Sequence, residues 1–162
     1  MSFQEHILRQ LSVPERLARV ARLWQAVADH ELTPLGLTYP RWSALWKLAR
    51  LGDGISQKQL AQALEIEVAS LMRTLGQLEQ QQLIERRGCE TDKRARLVFL
   101  TEQGKAFVAQ LEQRILKIRQ QLLEGVSDAD VTVMRRVLDS ISNNANYWLL
   151  AQQQSQSPEE DK

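Results

Sequence analysis

Five cations fall within eleven residues of this chain: Arg86, Arg87, Lys93, Arg94 and Arg96. They belong to the stretch RRGCETDKRARLVFLT, residues 86–101, which turns apolar directly after them. Guanidinium and ammonium groups at this density suit the neutralisation of phosphate. The same stretch holds Asp92, two residues before Arg94, and the single cysteine, Cys89. A carboxylate at that spacing can pair with Arg86 or Arg87 at the base of a hairpin and fix the shape of its loop. A thiol among cations has a lowered pKa and oxidises readily, which makes Cys89 a candidate redox switch; an inert strand-end cysteine is the simpler alternative.

A second set lies just upstream, in VASLMRTLGQLEQ. On a helix, Leu71, Leu75 and Leu78 mark one side, while Ser70, Arg73, Thr74 and Gln77 share about 100° of arc on another. Ala69 opens the same polar face. A salt-bridged solvent face would carry Glu–Lys pairs instead. Arg suits guanine O6/N7 and Gln suits adenine N6/N7 in a major groove. A third set is aromatic: Trp24, Trp42 and Trp46, with Arg22 and His30 nearby in sequence. A cleft with aromatic walls and one or two cations suits a small aromatic anion, although the tryptophans would serve equally as core.

Other chemistries find no support. His6 and His30 are the only histidines and have no zinc-ligand spacing with Cys89. No Gly-rich phosphate loop or nucleophile elbow occurs. No catalytic residue, metal or cofactor is therefore expected, and the chain is not expected to be an enzyme.

The elements that must position these groups are mostly helical. Ser12 with Glu15 forms a capping box, and Leu17, Val20, Trp24 and Val27 follow at helical spacing toward Thr33-Pro34. Thr38 caps a helix carrying Trp42, Leu45 and Trp46, which Gly52-Asp53-Gly54 ends. Ser56 with Gln59 caps QKQLAQAL, EIEV makes a turn, and the polar-faced helix follows. LIERR (83–87) and RLVFL (96–100) read as a hairpin with a long loop. Thr101 caps a long helix with Phe107, Leu111, Ile115, Ile118 and Leu122, and Ser127 with Asp130 caps the last one. The last helix steps through Val131, Met134, Leu138, Ile141, Ala145 and Trp148, a coiled-coil-like seam.

Net charge is only +1, but residues 35–105 carry eleven basic and eight acidic groups against six and eight in residues 106–162. A local basic feature can bind phosphate while the rest of the protein stays neutral. No apolar run approaches the roughly 18 residues of a membrane span. The N-terminus lacks a secretory cleavage pattern, and one cysteine cannot build a disulfide within the chain, so a reducing cytoplasm is the expected setting.

The stretch DKRARLVFLT resembles the D-x-R-x(5)-L-T wing signature of the MarR family of transcription regulators. QLAQALEIEVASLMRTLGQLEQQQLIERR continues the likeness upstream, and RLARVARLWQAVADHEL, LTYPRW, ASLMRTLGQLE and the wing cysteine are similar to its SlyA branch. The resemblance spans residues 14–150. It implies a mainly α winged helix-turn-helix of six helices with a two-stranded β wing, in an intertwined homodimer. Residues 1–34 and 102–151 would form the helical dimerisation lobe, 35–101 the DNA-binding lobe and 152–162 a disordered tail. It implies double-stranded DNA as partner, in a cytoplasmic, nucleoid-associated regulator, with Ser70 and Arg73 in the major groove and Arg94 in the minor groove; Lys93 and Arg96 would meet neighbouring phosphates. It also implies a pocket for aromatic acids such as salicylate. Ala69 departs from the proline frequent at that point in relatives. Gly76 interrupts the recognition helix, for which close helix approach is the available reason. Two other uses of the chain compete: a winged helix that docks on protein, and a ligand-binding dimer that acts without DNA.

Overall fold

In a computed structural model, residues 3–155 of the chain are described. They divide between Leu122 and Leu123 into two compact units. The first begins with α1 (Phe3–Gln10) and α2 (Val13–Leu32), followed by a 3-10 turn at Thr33–Leu35. Next come α3 (Tyr39–Leu51), β1 (Ile55–Ser56), α4 (Gln57–Leu64) and α5 (Val68–Gln80). The hairpin β2 (Ile84–Gly88) and β3 (Arg96–Leu100) leads into α6 (Glu102–Leu122). The second unit contains α7 (Asp128–Ser155).

The fold class is mainly helical, with two corrections to the sequence reading. The described residues contain seven α-helices, not six, because Phe3–Gln10, upstream of the Ser12 cap, forms its own helix, α1. The sheet has three antiparallel strands in the order β1-β3-β2, not two. The additional strand is only Ile55 and Ser56, paired with Val98 and Leu97. Two residues are too few to show a period-2 pattern, so this strand left no signal in the sequence. At the C-terminal end, α7 runs on to Ser155, so residues 152–155 of the expected tail are helical; residues 156–162 lie outside the described residues.

The caps hold the helix starts where the sequence puts them. Ser56 N donates to Gln59 Oε1 and Gln59 N to Ser56 Oγ, a reciprocal capping box on α4. Ser12 N donates to Glu15 Oε2 at the start of α2. Asp130 N donates to Ser127 Oγ at the start of α7. One apolar core then joins the elements of the first unit: Ala28 and Leu32 of α2, Leu45 and Leu48 of α3, Leu60 of α4, Leu71, Leu75 and Leu78 of α5, Val98 of β3, and Leu111 and Ile118 of α6. The leucine stripe of α5 faces inward, which turns its opposite side to solvent.

Two glycines behave oppositely. A Cβ on Gly104 would stand 1.9 Å from the Leu83 carbonyl oxygen, because the first turn of α6 lies against the link between α5 and β2. The same oxygen accepts from Thr101 N, and Thr101 Oγ1 caps Gly104 N. Gly76 has no such reason: a Cβ there would meet nothing within 4 Å, so close helix approach is not its cause. Gly104→Ala is therefore expected to lower unfolding free energy by roughly 1–3 kcal/mol through overpacking. Gly76→Ala should raise it by about 1 kcal/mol through helix propensity. Urea unfolding of the two variants beside the wild type checks both signs.

Candidate nucleic-acid interface

Helix α5 presents Ala69, Ser70, Arg73 and Gln77 to solvent. Thr74 does not join them. Its side chain is buried, at 7% exposure, and its hydroxyl donates to the Ser70 carbonyl 3.4 Å away. A hydroxyl bonded back to its own helix needs no water, which lets a polar residue sit on the inner flank. The outward face is thus narrower than the sequence arc.

The hairpin separates its five cations. Arg86 turns inward to α5: its backbone N donates to Glu79 Oε1 at 3.2 Å, and its Nε and Nη2 donate to Glu79 Oε2 at 3.1 and 2.6 Å. Its Nη1 also reaches Gln57 Oε1 on α4, at 3.5 Å. Arg87 pairs with Glu85 and lies over the Phe99 ring, 4.5 Å from the centroid. The expected pairing of Asp92 with Arg86 or Arg87 does not occur. Instead Asp92 Oδ1 accepts from Arg94 N at 2.9 Å and the Asp92 carbonyl accepts from Ala95 N, so Asp92 shapes the tip through backbone bonds. Among the described residues the side chains of Arg73, Lys93 and Arg94 have no hydrogen bond or ion pair, and all three are exposed. Arg96 is exposed at the start of β3 and lines a small hollow with Gln57, Met72, Glu79 and Arg86.

Cys89 is half-buried just beyond β2, with its Sγ 3.2 Å from Thr91 Oγ1. Its pKa is lowered first by that hydroxyl and then by the backbone of Asp92 and Thr91. The neighbouring cations, which suggested the same direction in the sequence, are not the cause.

The three tryptophans do come together. Trp24 of α2, Trp42 and Trp46 of α3, Leu64 of α4 and Ile115 of α6 wall a cavity of about 570 Å³. Trp42 Nε1 donates to Asp29 Oδ1 of α2 at 3.2 Å, and Tyr39 meets Trp42 edge-on at 5.1 Å. Arg22 and His30 are exposed and do not line this cavity; its cations are Lys47 and Arg119. Proximity in sequence suggested the wrong partners, because Arg119 arrives from a helix far along the chain. A second hollow, of about 450 Å³, shares Tyr39, Ser43 and Leu64 with the first and extends to Ser70 and Arg73 on α5. Among the described residues no three metal-ligating side chains gather, and no helix is long and apolar enough to cross a membrane.

A profile described as MarR family matches residues 35–95, the segment from α3 to the hairpin tip. The crystal structure of the transcriptional regulator PA3341 is 32% identical, with a TM-score of 0.78, and the similarity covers 84% of this chain and 99% of that one. The chain belongs to the MarR family. Two further members of this fold are similar. A mutant MarR from E. coli complexed with operator DNA has 22% identity, a TM-score of 0.73, and coverage of 87% of this chain and 99% of that chain. CouR from Rhodococcus jostii RHA1 bound to p-coumaroyl-CoA has 25% identity, a TM-score of 0.73, and coverage of 80% and 91%. For this MarR family chain, the α4–turn–α5 unit and the β2–β3 hairpin are the helix-turn-helix and the wing.

Glu79 supplies a pH test of the wing's base. Its carboxyl is held below the ordinary glutamate range, chiefly by the Arg86 side-chain bond. Because the folded value lies below the unfolded one, the pair's contribution to stability is complete above the unfolded value and is lost as pH falls through the folded one. The stability difference between wild type and Glu79→Gln should hold from about pH 7 to about pH 5.5, and shrink below about pH 4.5. Urea unfolding across that range measures it.

Proposed function

We propose that this protein is a homodimeric, sequence-specific regulator of transcription in the SlyA-like branch of the MarR family. It acts on promoter DNA in the cytoplasm, at the nucleoid. Helix α5 enters the major groove and reads base edges with Ser70, Arg73 and Gln77. The wing tip follows the backbone outward, with Arg94 in the flanking minor groove and Lys93 on phosphate. Arg96, on the outer side of β3, adds charge toward the same strand. The observation that carries this reading is the partition of the basic cluster: Arg86 and Arg87 are engaged within the protein, while Lys93, Arg94 and Arg73 are exposed with no protein partner among the described residues. Unpartnered cations beside a polar helix face suit a phosphate-rich partner better than an apolar protein surface.

Dimerisation rests on exposed apolar surface. Val13, Leu17, Val20 and Leu23 of α2 stand in solvent in the single chain, as do Met134, Leu138, Ile141 and Trp148 of α7. Stripes of this size mark interaction surfaces. Two-fold pairing would set two α5 helices for half-sites about 10 base pairs apart in a pseudo-palindrome.

The tryptophan cavity takes a small aromatic anion, of which salicylate is the simplest probe. Lys47 and Arg119 meet the carboxylate and the indoles meet the ring. The wall shared by the two hollows separates the ligand from α5, so occupancy that shifts α3 against α4 selects dimers with unsuitable α5 spacing and lowers DNA affinity. The complex of CouR with p-coumaroyl-CoA is in keeping with an aromatic acyl ligand on this fold. The stretches similar to the SlyA branch, RLARVARLWQAVADHEL and LTYPRW, supply Trp24, Tyr39 and Trp42 to this wall.

Fluorescence anisotropy on a pseudo-palindromic duplex from the gene's own promoter tests the DNA reading. Arg94→Ala should weaken binding by roughly 5- to 150-fold and lower the salt slope by about one per protomer, while scrambled competitor leaves wild-type binding intact. Binding indifferent to scrambling would reject it. For the cavity, salicylate should quench tryptophan fluorescence saturably below about 10 mM, and Arg119→Ala should raise the half-saturation roughly tenfold. No saturable change in the wild type would remove the ligand from the account.

A further inference from the structure

The Arg86 guanidinium stands where three elements of the DNA-binding unit meet. It binds Glu79 near the end of α5 through two nitrogens and Gln57 at the start of α4 through a third, while its own backbone lies in β2. The Arg86 backbone N–H is held by the second oxygen of the same Glu79 carboxylate. Resting on the DNA reading above, we propose that the Glu79–Arg86 pair is a positioning clamp that fixes the wing relative to the recognition helix, so that Arg94 reaches the minor groove in register with Arg73.

The argument is geometric. Arg86 opposes Val98 in the ladder, and Val98 is fully buried in the core, so the middle of the hairpin is anchored through β3. The other strand, β2, is an edge of the sheet. Ile84 anchors its start in the core, but toward Gly88 it could pivot about β3 without a further tie, and the tip beyond Gly88 would swing with it. The carboxylate supplies that tie from the helix whose exposed face reads DNA. Its bonds to two guanidinium nitrogens and one amide constrain both distance and direction, which a single contact would not. The Arg86 side chain is 23% exposed and that of Glu79 39%, so water reaches the pair and its role is in orientation more than in stability. Arg96, directly across the ladder from Gly88, adds a second positive charge beside Glu79 and lowers its pKa a little further. Arg86 and Glu79 are engaged with each other, which distinguishes the clamp from Arg73, Lys93 and Arg94, unpartnered among the described residues.

The experiment is a double-mutant cycle with Arg94→Ala, in the wild type and in Arg86→Met, read by anisotropy on the promoter duplex and by hydrogen exchange of the full-length protein without DNA. Met keeps the apolar stem of residue 86 and removes the charge. The clamp predicts that Arg94→Ala weakens binding roughly 5- to 150-fold in the wild type but less than about threefold in Arg86→Met. It also predicts that amides of residues 86–88 and 96–98 exchange at least about tenfold faster in Arg86→Met while those of α3 are unchanged. Glu79→Gln should behave as Arg86→Met does, and Arg86→Lys should restore part of the Arg94 effect through a single contact. An equal fold-loss from Arg94→Ala in both backgrounds would overturn the clamp and leave the DNA reading in place. If the wild type shows no sequence-specific binding, the DNA reading fails, and exchange decides the clamp alone: unchanged wing amides overturn it. Faster exchange in α3 as well as the wing would reduce Arg86 to a general stabiliser and overturn it too.

Discussion

Repulsion among the five cations of the wing is the constraint that the rest of the interface obeys. Charges of one sign at this spacing disfavour any compact hairpin unless some are neutralised and the others are kept apart. The protein does both. Glu79 and Glu85 neutralise Arg86 and Arg87 at the base, and Arg87 lies over the Phe99 ring, a favourable seat for a guanidinium. Lys93 and Arg94 are left at the far end of the loop, facing solvent. Asp92 contributes by holding the turn through the Arg94 amide, so the tip keeps a defined shape without losing its charge.

The same economy runs through the helices. Because α2, α3 and α6 close over one leucine-rich core, their aromatic residues are pushed to the margin, where Trp24, Trp42 and Trp46 wall a cavity instead of filling it. The hydrogen bond from Trp42 to Asp29 holds α3 to α2 at that margin. The cavity is lined by α2, which carries one exposed apolar stripe, and by α3, which packs on α4 and α5. On the proposed reading, DNA affinity and occupancy of the cavity would be coupled to the extent that two dimer geometries differ in ligand affinity.

Much of this was legible in the sequence, for physical reasons that differ by element. The capping boxes at Ser12 and Ser56 and the cap at Ser127 are local, and local bonds are written in consecutive residues. The leucine period of α5 marked its inner face, and the short β-type apolar run in RLVFL marked β3. Part of what failed depended on distant partners. Nothing in the sequence links Arg86 to Glu79 rather than to Asp92, since all three lie within a few residues of the hairpin and only the chain's path decides among them. Arg119 reaches the cavity from α6, far along the chain, whereas Lys47 follows Trp46 directly on α3 and its neighbourhood was written in the sequence. Thr74 was assigned to the exposed face by its type, although a hydroxyl bonded to the carbonyl four residues back can be buried without loss.

On the proposed reading, one helix face reads the major groove while the wing's free cations read the flanking minor groove. Methylation interference on the preferred duplex tests it most directly, because dimethyl sulfate marks guanine N7 in the major groove and adenine N3 in the minor groove of the same molecule. Interference is expected at guanine N7 inside each half-site, lost with Arg73→Ala, and at adenine N3 on the flanks, lost with Arg94→Ala. Interference confined to one groove, or flanking marks that persist without Arg94, would contradict it.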